Sequence, residues 1–380
     1  MSYDVFTVRE ESTDEKYLTF LPHSGLHNQR IALINALVIA KALNRTLIMP
    51  ELNLGIATFW RPSLDLEQKL DECPGKDMTG GCFDYRRYIP VPTGTIFDLS
   101  SLETLDIRVI ERLDMRRDYF ERHWGVPPDE RNKTLVYNVP DNTRYSYQLY
   151  DSRDGKKHPA NFAIKMYLDD LRSRPEKFMM FGSLFGTHRL VLEADETLVT
   201  LREQLRQELV VVHPEVLGEA AKVINRLGGP AQFVSVHLRQ GDGVFRKTAT
   251  ATMAKVRASL EDLGAGTRDD KAVERLSQLG TNRTQLLKEC VRLSSVDPRL
   301  QLIYMATDAP HPTERFAHLY SEFLCLFSLH DFRVTISKIL IPLVDAEIAA
   351  QASTFVGTPK STYTGYIQQR NDHFLYTRAS

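Results

Sequence analysis

Apolar residues in this chain fall into two rhythms, short solid runs and longer stretches where they recur at helical spacing. The run Phe233-Val234-Ser235-Val236-His237-Leu238 is the clearest of the first kind, and it is followed at once by Arg239-Gln240-Gly241-Asp242-Gly243. A buried parallel strand is predicted there, with polar residues and glycines delivered beyond its carboxyl end, where ligands sit in open α/β sheets. Leu18 to Leu21, Thr46 to Met49, Ile107 to Ile110, Lys177 to Phe181, Leu302 to Asp308, Leu324 to Leu329 and Thr354 to Gly357 read as further strands.

Helical spacing links several of these runs. Ile31, Leu33, Ile34, Leu37, Val38, Ala40 and Leu43 predict a helix from Gln29 to a C-cap at Asn44, entered through the turn-rich loop Pro22-His23-Ser24-Gly25-Leu26-His27-Asn28. A helix N-terminus placed there can hold an anion or polarise an oxygen, and Asn28 equally reads as a plain N-cap. Further helices are expected over 193–210, 214–228, 343–352 and from Lys360 onward, with two amphipathic ones in 250–295. Five prolines break residues 50–100, so an irregular segment is expected, and 118–154 shows no usable period. The first half thus opens with a β-loop-α-β unit, and beyond a hinge near 182–192 helix and strand alternate, which predicts a doubly wound α/β domain there; the length of the chain predicts two domains, 1–185 and 186–380.

Composition narrows the partners. With 48 Lys and Arg against 49 Asp and Glu, the net charge of −1 supplies no general attraction for nucleic acid or anionic membranes. No apolar run is long enough to span a bilayer, and the start carries no signal-peptide core, which leaves a cytoplasmic chain or one whose N-terminal anchor is missing. Four cysteines allow pairing, with Cys73 and Cys82 bracketing a turn that a disulfide could close. Sequons at Asn44, Asn132 and Asn282 are compatible with a luminal location. Trp60, Phe83, Tyr85 and Tyr88 could line an acceptor groove or cover a core edge.

The polar residues suit one kind of chemistry. A nucleoside diphosphate needs a fixed cation and hydroxyl or amide donors at a helix N-terminus, and Arg239 with Ser361-Thr362 supplies both types. Arg239 stays charged and can stabilise the negative charge that develops on a leaving diphosphate. His237 reads equally as structural or reactive, and Asp242 as a turn residue or a support for Arg239. Walker, nucleophile-elbow and HExxH motifs are absent from the sequence, as is a DxD-like pair for a divalent ion.

As a set these pieces resemble the O-fucosyltransferase-like superfamily, in particular a fungal branch of it. The resemblance is carried by Leu21-Pro22-His23-Ser24-Gly25-Leu26-His27-Asn28-Gln29-Arg30, Asn44-Arg45-Thr46-Leu47-Ile48-Met49-Pro50, Val236 to Asp242, Tyr304-Met305-Ala306-Thr307-Asp308, and Asp345-Ala346-Glu347-Ile348 through Phe355-Val356-Gly357 to Ser361-Thr362-Tyr363-Thr364. It implies a GT-B architecture of two Rossmann-like domains facing across a cleft. The first would stand on the acceptor side, the second would bind GDP-fucose, and the terminal helix 361–380 could pack back on the first. Metal-independent, inverting transfer of fucose to a protein or glycan hydroxyl is implied, with GDP-fucose as donor substrate and no cofactor.

By the same resemblance Arg239 contacts the diphosphate and glycosidic oxygen, while His237 and Asp308 lie near the nucleotide. Asp345 approaches the base or ribose, and Ser361 and Thr362 bind phosphate. Asn28, Gly25 and Leu26 belong to the loop over sugar and acceptor. Some relatives carry a glutamate base in that loop, where this chain has His23-Ser24-Gly25, so His23 or His27 is left as a base, or none is needed. Two other readings are a fungal biosynthetic enzyme using the scaffold for different group transfer, such as tRNA-dependent arginine-containing cyclodipeptide synthesis, and a non-catalytic GDP-sugar-binding protein.

Overall fold

The computed structural model describes residues 14–55, 61–73, 82, 88–128, 134–154, 162–186, 188–240, 243–264, 270–279, 282–294 and 300–379. Trp60, Phe83, Tyr85, Asn132, Gly241 and Asp242 lie outside the described residues, as does the 74–81 stretch between Cys73 and Cys82. The chain forms two compact units, Met1–Val212 and His213–Ser380.

The strands of the first unit are β1 (Tyr17–Phe20), β2 (Thr46–Met49), β3 (Leu52–Gly55), β4 (Tyr88–Val91), β5 (Val109–Glu111), β6 (Val136–Val139), β7 (Tyr147–Tyr150), β8 (Ile164–Tyr167), β9 (Phe178–Phe181) and β10 (Leu190–Val191). Five make a wholly parallel sheet in the order β5-β2-β1-β9-β6. A second parallel sheet runs β10-β7-β8, and β3 pairs antiparallel with β4. Helix Leu26–Leu43 is buried at every position from Ala32 to Ala40, because the sheet covers one side and helices Leu168–Arg172 and Glu196–Glu208 cover the other. An all-round apolar helix requires such a place. Asn44 closes it in the left-handed conformation at φ 51°, the expected C-cap.

The second unit holds β11 (Val234–Leu238), β12 (Ile303–Thr307), β13 (Leu326–Ser328) and β14 (Thr354–Val356). They form one parallel sheet in the order β13-β12-β11-β14. Alternate residues serve opposite faces. Val234, Val236, Leu238, Ile303 and Met305 pack with Val256 and Leu260 of helix Gly243–Asp262 and with Phe316 and Leu319. On the other face the Ser235 hydroxyl donates to the Ala349 carbonyl of helix Ile341–Ala350 at 2.7 Å. Helices Pro214–Arg226 and Thr362–Ala379 flank that helix, so the terminal helix lies within the second unit. Two doubly wound α/β units of the expected class are therefore present.

Several local expectations change. Residues 50–100 hold the antiparallel β3–β4 pair and, between its strands, helix Ser63–Glu72, which starts directly after Pro62, where proline's fixed φ favours helix entry. The stretch 118–154 supplies helix Tyr119–Trp124 and strands β6 and β7. Among the described residues of 243–295 there are three helices, Gly243–Asp262, Asp270–Gln278 and Arg283–Ser294. Disulfides join Cys73 to Cys82 and Cys290 to Cys325.

Candidate functional site

The polar residues after β11 are fixed from both neighbouring strands. Thr358, just past β14, donates its hydroxyl to the His237 carbonyl at 2.7 Å and accepts the Arg239 amide at 3.1 Å. From β12, the Thr307 hydroxyl donates to the Leu238 carbonyl at 2.7 Å, and Asp308 accepts the Gln240 amide at 2.8 Å. Two neutral hydroxyls thus set the backbone path into Arg239, and the Asp308 carboxylate holds the next amide. Its guanidinium lies 5.1 Å from the centre of the Phe245 ring and is half-buried.

His237 is sealed in. Its Nδ1 is 2.7 Å from the Thr364 hydroxyl and its ring centre is 4.7 Å from that of Tyr363. Burial, with Arg239 adding repulsion, pushes its pKa down to about 3, so the imidazole is neutral at physiological pH. Close approach of the terminal helix depends on Gly357, where an added Cβ would stand 2.1 Å from Thr364 Cγ2. Ser361 is buried just before that helix, while Thr362 is half-buried in its first turn.

Asp345 lies inside helix Ile341–Ala350 rather than at an edge. It is 7% exposed, accepts the Tyr304 hydroxyl of β12, and is pushed up to about 7 by burial. Asp308 is exposed and borders a pocket of about 520 Å³ lined by Gln240, Arg246, His311, Glu314 and Arg315 among others. Arg239, His237, Asp308, Ser361 and Thr362 thus gather around the carboxyl edge of the second sheet, with Asp345 beneath it. Asp242 is outside the described residues.

The remaining sequence candidates belong to the first unit. Gly25, not Asn28, is the N-cap of helix Leu26–Leu43, and no side chain caps it. Asn28 sits in the first turn, where its amide donates to the Ser24 hydroxyl at 3.1 Å. Ser24 has φ 69°, and its carbonyl accepts the Gln29 amide at 2.9 Å. Gln29 in turn exchanges two bonds with the Asn53 backbone, at 3.0 and 2.8 Å, tying the loop after β1 to strand β3. His23 is buried, its Nε2 accepts the Arg61 amide at 3.2 Å, and burial together with Arg189 and Arg144 lowers it to about 4. His27 is also buried, while Leu26 is half-buried.

Sequence reasoning missed Thr358 and Gln29. A hydroxyl residue directly after the Val356-Gly357 strand end was a usable signal for the first; nothing local marks the second.

The family model described as GDP-fucose protein O-fucosyltransferase matches residues 17–374. O-fucosyltransferase 29 of Arabidopsis thaliana is 21% identical over 233 residues, 60% of this chain, and the match spans 32% of that protein. A crystal structure of POFUT1 in complex with GDP-fucose aligns over 96% of both chains, with 15% identity and a TM-score of 0.47. The fucosyltransferase NodZ from Bradyrhizobium aligns over 94% of this chain and 93% of its own, with 14% identity and a TM-score of 0.41. Among the described residues no helix is long and apolar enough to cross a membrane, and no three His, Cys, Asp or Glu side chains are grouped to hold a metal ion. The family match covers nearly the whole chain from β1 to the terminal helix, and the chain belongs to the GDP-fucose protein O-fucosyltransferase family.

Proposed function

We propose that this chain is an inverting glycosyltransferase that moves fucose from GDP-fucose to a hydroxyl of a protein or glycan acceptor. Family membership supports the reaction class, and the observation that carries the reading is the fixed Arg239 beyond β11. In this reading the second unit binds the donor and the first supplies the acceptor side. His237 is neutral and bonded to Thr364, so it positions the strand end and leaves the diphosphate charge to arginine. Asp345, bonded to Tyr304 and buried, shapes the nucleotide site from behind; Ser361 and Thr362 supply donors at the terminal helix.

The acceptor oxygen attacks the anomeric carbon while the carbon–oxygen bond to phosphate breaks, and the electron pair leaves on GDP. Arg239 stabilises that developing charge. Removing one preorganised donor of this type costs about 10²–10³ in turnover, roughly 3–4 kcal/mol. We expect Arg239→Ala to lose at least that much transfer while keeping the wild-type fold by circular dichroism. GDP should raise the melting temperature of the wild-type chain; no shift at about millimolar GDP would reject the reading. No observation favours the tRNA-dependent alternative.

A further inference from the structure

Two features of the sequence play no part in the proposed transfer, the four cysteines and the Asn-X-Thr triplets, and in the second unit they meet on one helix. All four cysteines are joined, as Cys73–Cys82 and Cys290–Cys325. Disulfides persist in oxidising compartments and are rare where cellular reductants keep thiols reduced. Cys290 lies in helix Arg283–Ser294 and Cys325 stands directly before β13, so their bond staples that helix to the edge strand of the second sheet. Arg283, the first residue of the helix, strengthens the attachment. Its Nε lies 2.7 Å from Asp331 Oδ1, its Nη2 donates to the Leu326 carbonyl at 2.6 Å, and its guanidinium is 4.5 Å from the centre of the Phe327 ring.

The triplet Asn282-Arg283-Thr284 spans the start of this helix. Asn282 and Thr284 are both exposed, while Arg283 between them turns onto β13. Asn282 immediately precedes the helix, and its Oδ1 accepts the Gln285 amide at 3.2 Å in the manner of an N-cap. Among the described residues its Nδ2 has no hydrogen-bond partner. A sugar attached at Nδ2 leaves Oδ1 its lone pairs, so the cap survives the modification. Because β13 is two strands from β11, a glycan here also stands apart from the strand end that carries Arg239. Asn44-Arg45-Thr46 is placed differently. Asn44 is exposed and its Oδ1 accepts Arg108 Nη2 at 3.0 Å, but Thr46 is buried at the start of β2 with its hydroxyl bonded to Glu15. Folding closes that triplet and leaves the one at Asn282 open.

We infer that Asn282 is a site of N-linked glycosylation and that the chain folds in the oxidising lumen of a secretory pathway. Nδ2 of Asn282 bonds the anomeric carbon of an oligosaccharide carried on a lipid diphosphate, and Thr284 completes the acceptor triplet. The carbon–oxygen bond to phosphate breaks, the lipid diphosphate leaves with its electron pair, and Nδ2 gives up one proton. This holds whether or not the chain transfers fucose. The test uses the full chain isolated from the cells that naturally make it. Digestion with a peptide N-glycosidase in heavy-oxygen water should turn Asn282 into labelled aspartate, read by mass spectrometry of the tryptic peptide 276–283, and alkylation without reductant should modify none of the four cysteines. In the same cells Asn282→Gln and Thr284→Ala should each abolish the label in that peptide, and Thr284→Ser should retain it. Thr284→Ala keeps the Asn282 cap, so loss of the glycan in that variant is not a consequence of a disrupted helix start. An unlabelled Asn282 in the natural chain overturns the site, as does a label that persists in Thr284→Ala. Alkylation of all four cysteines in the natural chain overturns the compartment.

Discussion

The carboxyl edges of the two parallel sheets are built on opposite electrostatic plans. In the first unit Asp141, two residues past β6, forms an ion pair with Arg189 at 3.0 Å, both side chains 1% exposed, and Arg189 also donates to the Tyr147 carbonyl at 2.8 Å. At the edge of the second unit the stitching around Arg239 is done by Thr358, Thr307 and Thr364 beside a neutral His237, with the exposed Asp308 carboxylate holding the next amide. A scaffold of opposite charges neutralises itself and is costly to break, whereas a scaffold of hydroxyls holds an arginine backbone without competing for an anionic ligand. The first edge is therefore a structural lock, and the second a mount for the Arg239 charge, which in the proposed reading meets the donor diphosphate.

The contrast is broken most severely by removing half of the lock. Asp141→Ala leaves the Arg189 charge buried without its partner, and breaking such a pair typically costs about 3–5 kcal/mol. A large fall in melting temperature is expected, with loss of the first unit's protection in hydrogen exchange. A loss below about 1 kcal/mol would show that water or a rearranged side chain replaces the carboxylate.

Two glycines sharpen the comparison at the next level of effect. Each follows a strand at the carboxyl edge, Gly182 after β9 and Gly357 after β14. A Cβ at Gly182 would lie 2.5 Å from the Asp141 backbone nitrogen and 2.7 Å from both Cβ and Oγ of Ser63. That nitrogen donates to Ser63 Oγ at 2.8 Å, so neither group can move without breaking the other's bond. At Gly357 the severe contact is a methyl, Thr364 Cγ2 at 2.1 Å. Overpacking costs about 1–3 kcal/mol, and both Gly→Ala variants should fall there, Gly182→Ala at the upper end. Thr364→Ser removes the methyl but keeps the hydroxyl beside His237, so it should rescue Gly357→Ala by denaturant titration, while Ser63→Ala should not rescue Gly182→Ala. Equal behaviour of the two pairs would erase the distinction between a backbone lock and a side-chain mount.

The sequence announced the two edges unevenly. Buried runs such as Val234–Leu238 and Thr46–Met49 were legible because a parallel strand covered on both faces must be apolar throughout. Arg239 was legible because it follows such a run directly. Helix Ser63–Glu72 was not, since only Leu66 and Leu70 are buried apolar positions in it and prolines surround it. Strand β7 pairs with β8 and with β10, and the latter lies some forty residues further along the chain, a non-local pairing that no local period encodes. The sequence placed the domain boundary at 185, but Arg30 reaches forward to the Leu209 carbonyl at 2.7 Å, and helix Glu196–Glu208 packs within the first unit. Hydroxyl stitching by Thr358 left one trace, a hydroxyl residue directly after the Val356-Gly357 strand end, which reads equally as an ordinary turn residue.

An effect spread over pH, small between neighbouring pH values, tests how neutrality is kept at the second edge. His237 falls from 6.5 to about 3 on folding, so between those values the unfolded chain binds a proton the native one does not, and stability rises with pH. Asp345 moves from 3.8 up to about 7, so across that window the native chain holds the extra proton and stability falls with pH. From about pH 4 to about pH 6.5 the two slopes oppose each other, and their sum is nearly flat. Asp345→Asn keeps an acceptor for the Tyr304 hydroxyl and removes one slope, so its stability relative to wild type should rise with pH by up to about 1.4 kcal/mol per unit in that window. In the first unit His23 and Glu51 carry shifts of the same signs, but Glu51 is half-exposed, and solvent screening should make the corresponding change for Glu51→Gln smaller. Urea titrations of both variants against wild type at about pH 4.5, 5.5 and 6.5 measure the two slopes. A steeper change in Glu51→Gln than in Asp345→Asn would mean that the carboxylate of the first edge, not that of the second, is the one sealed from water.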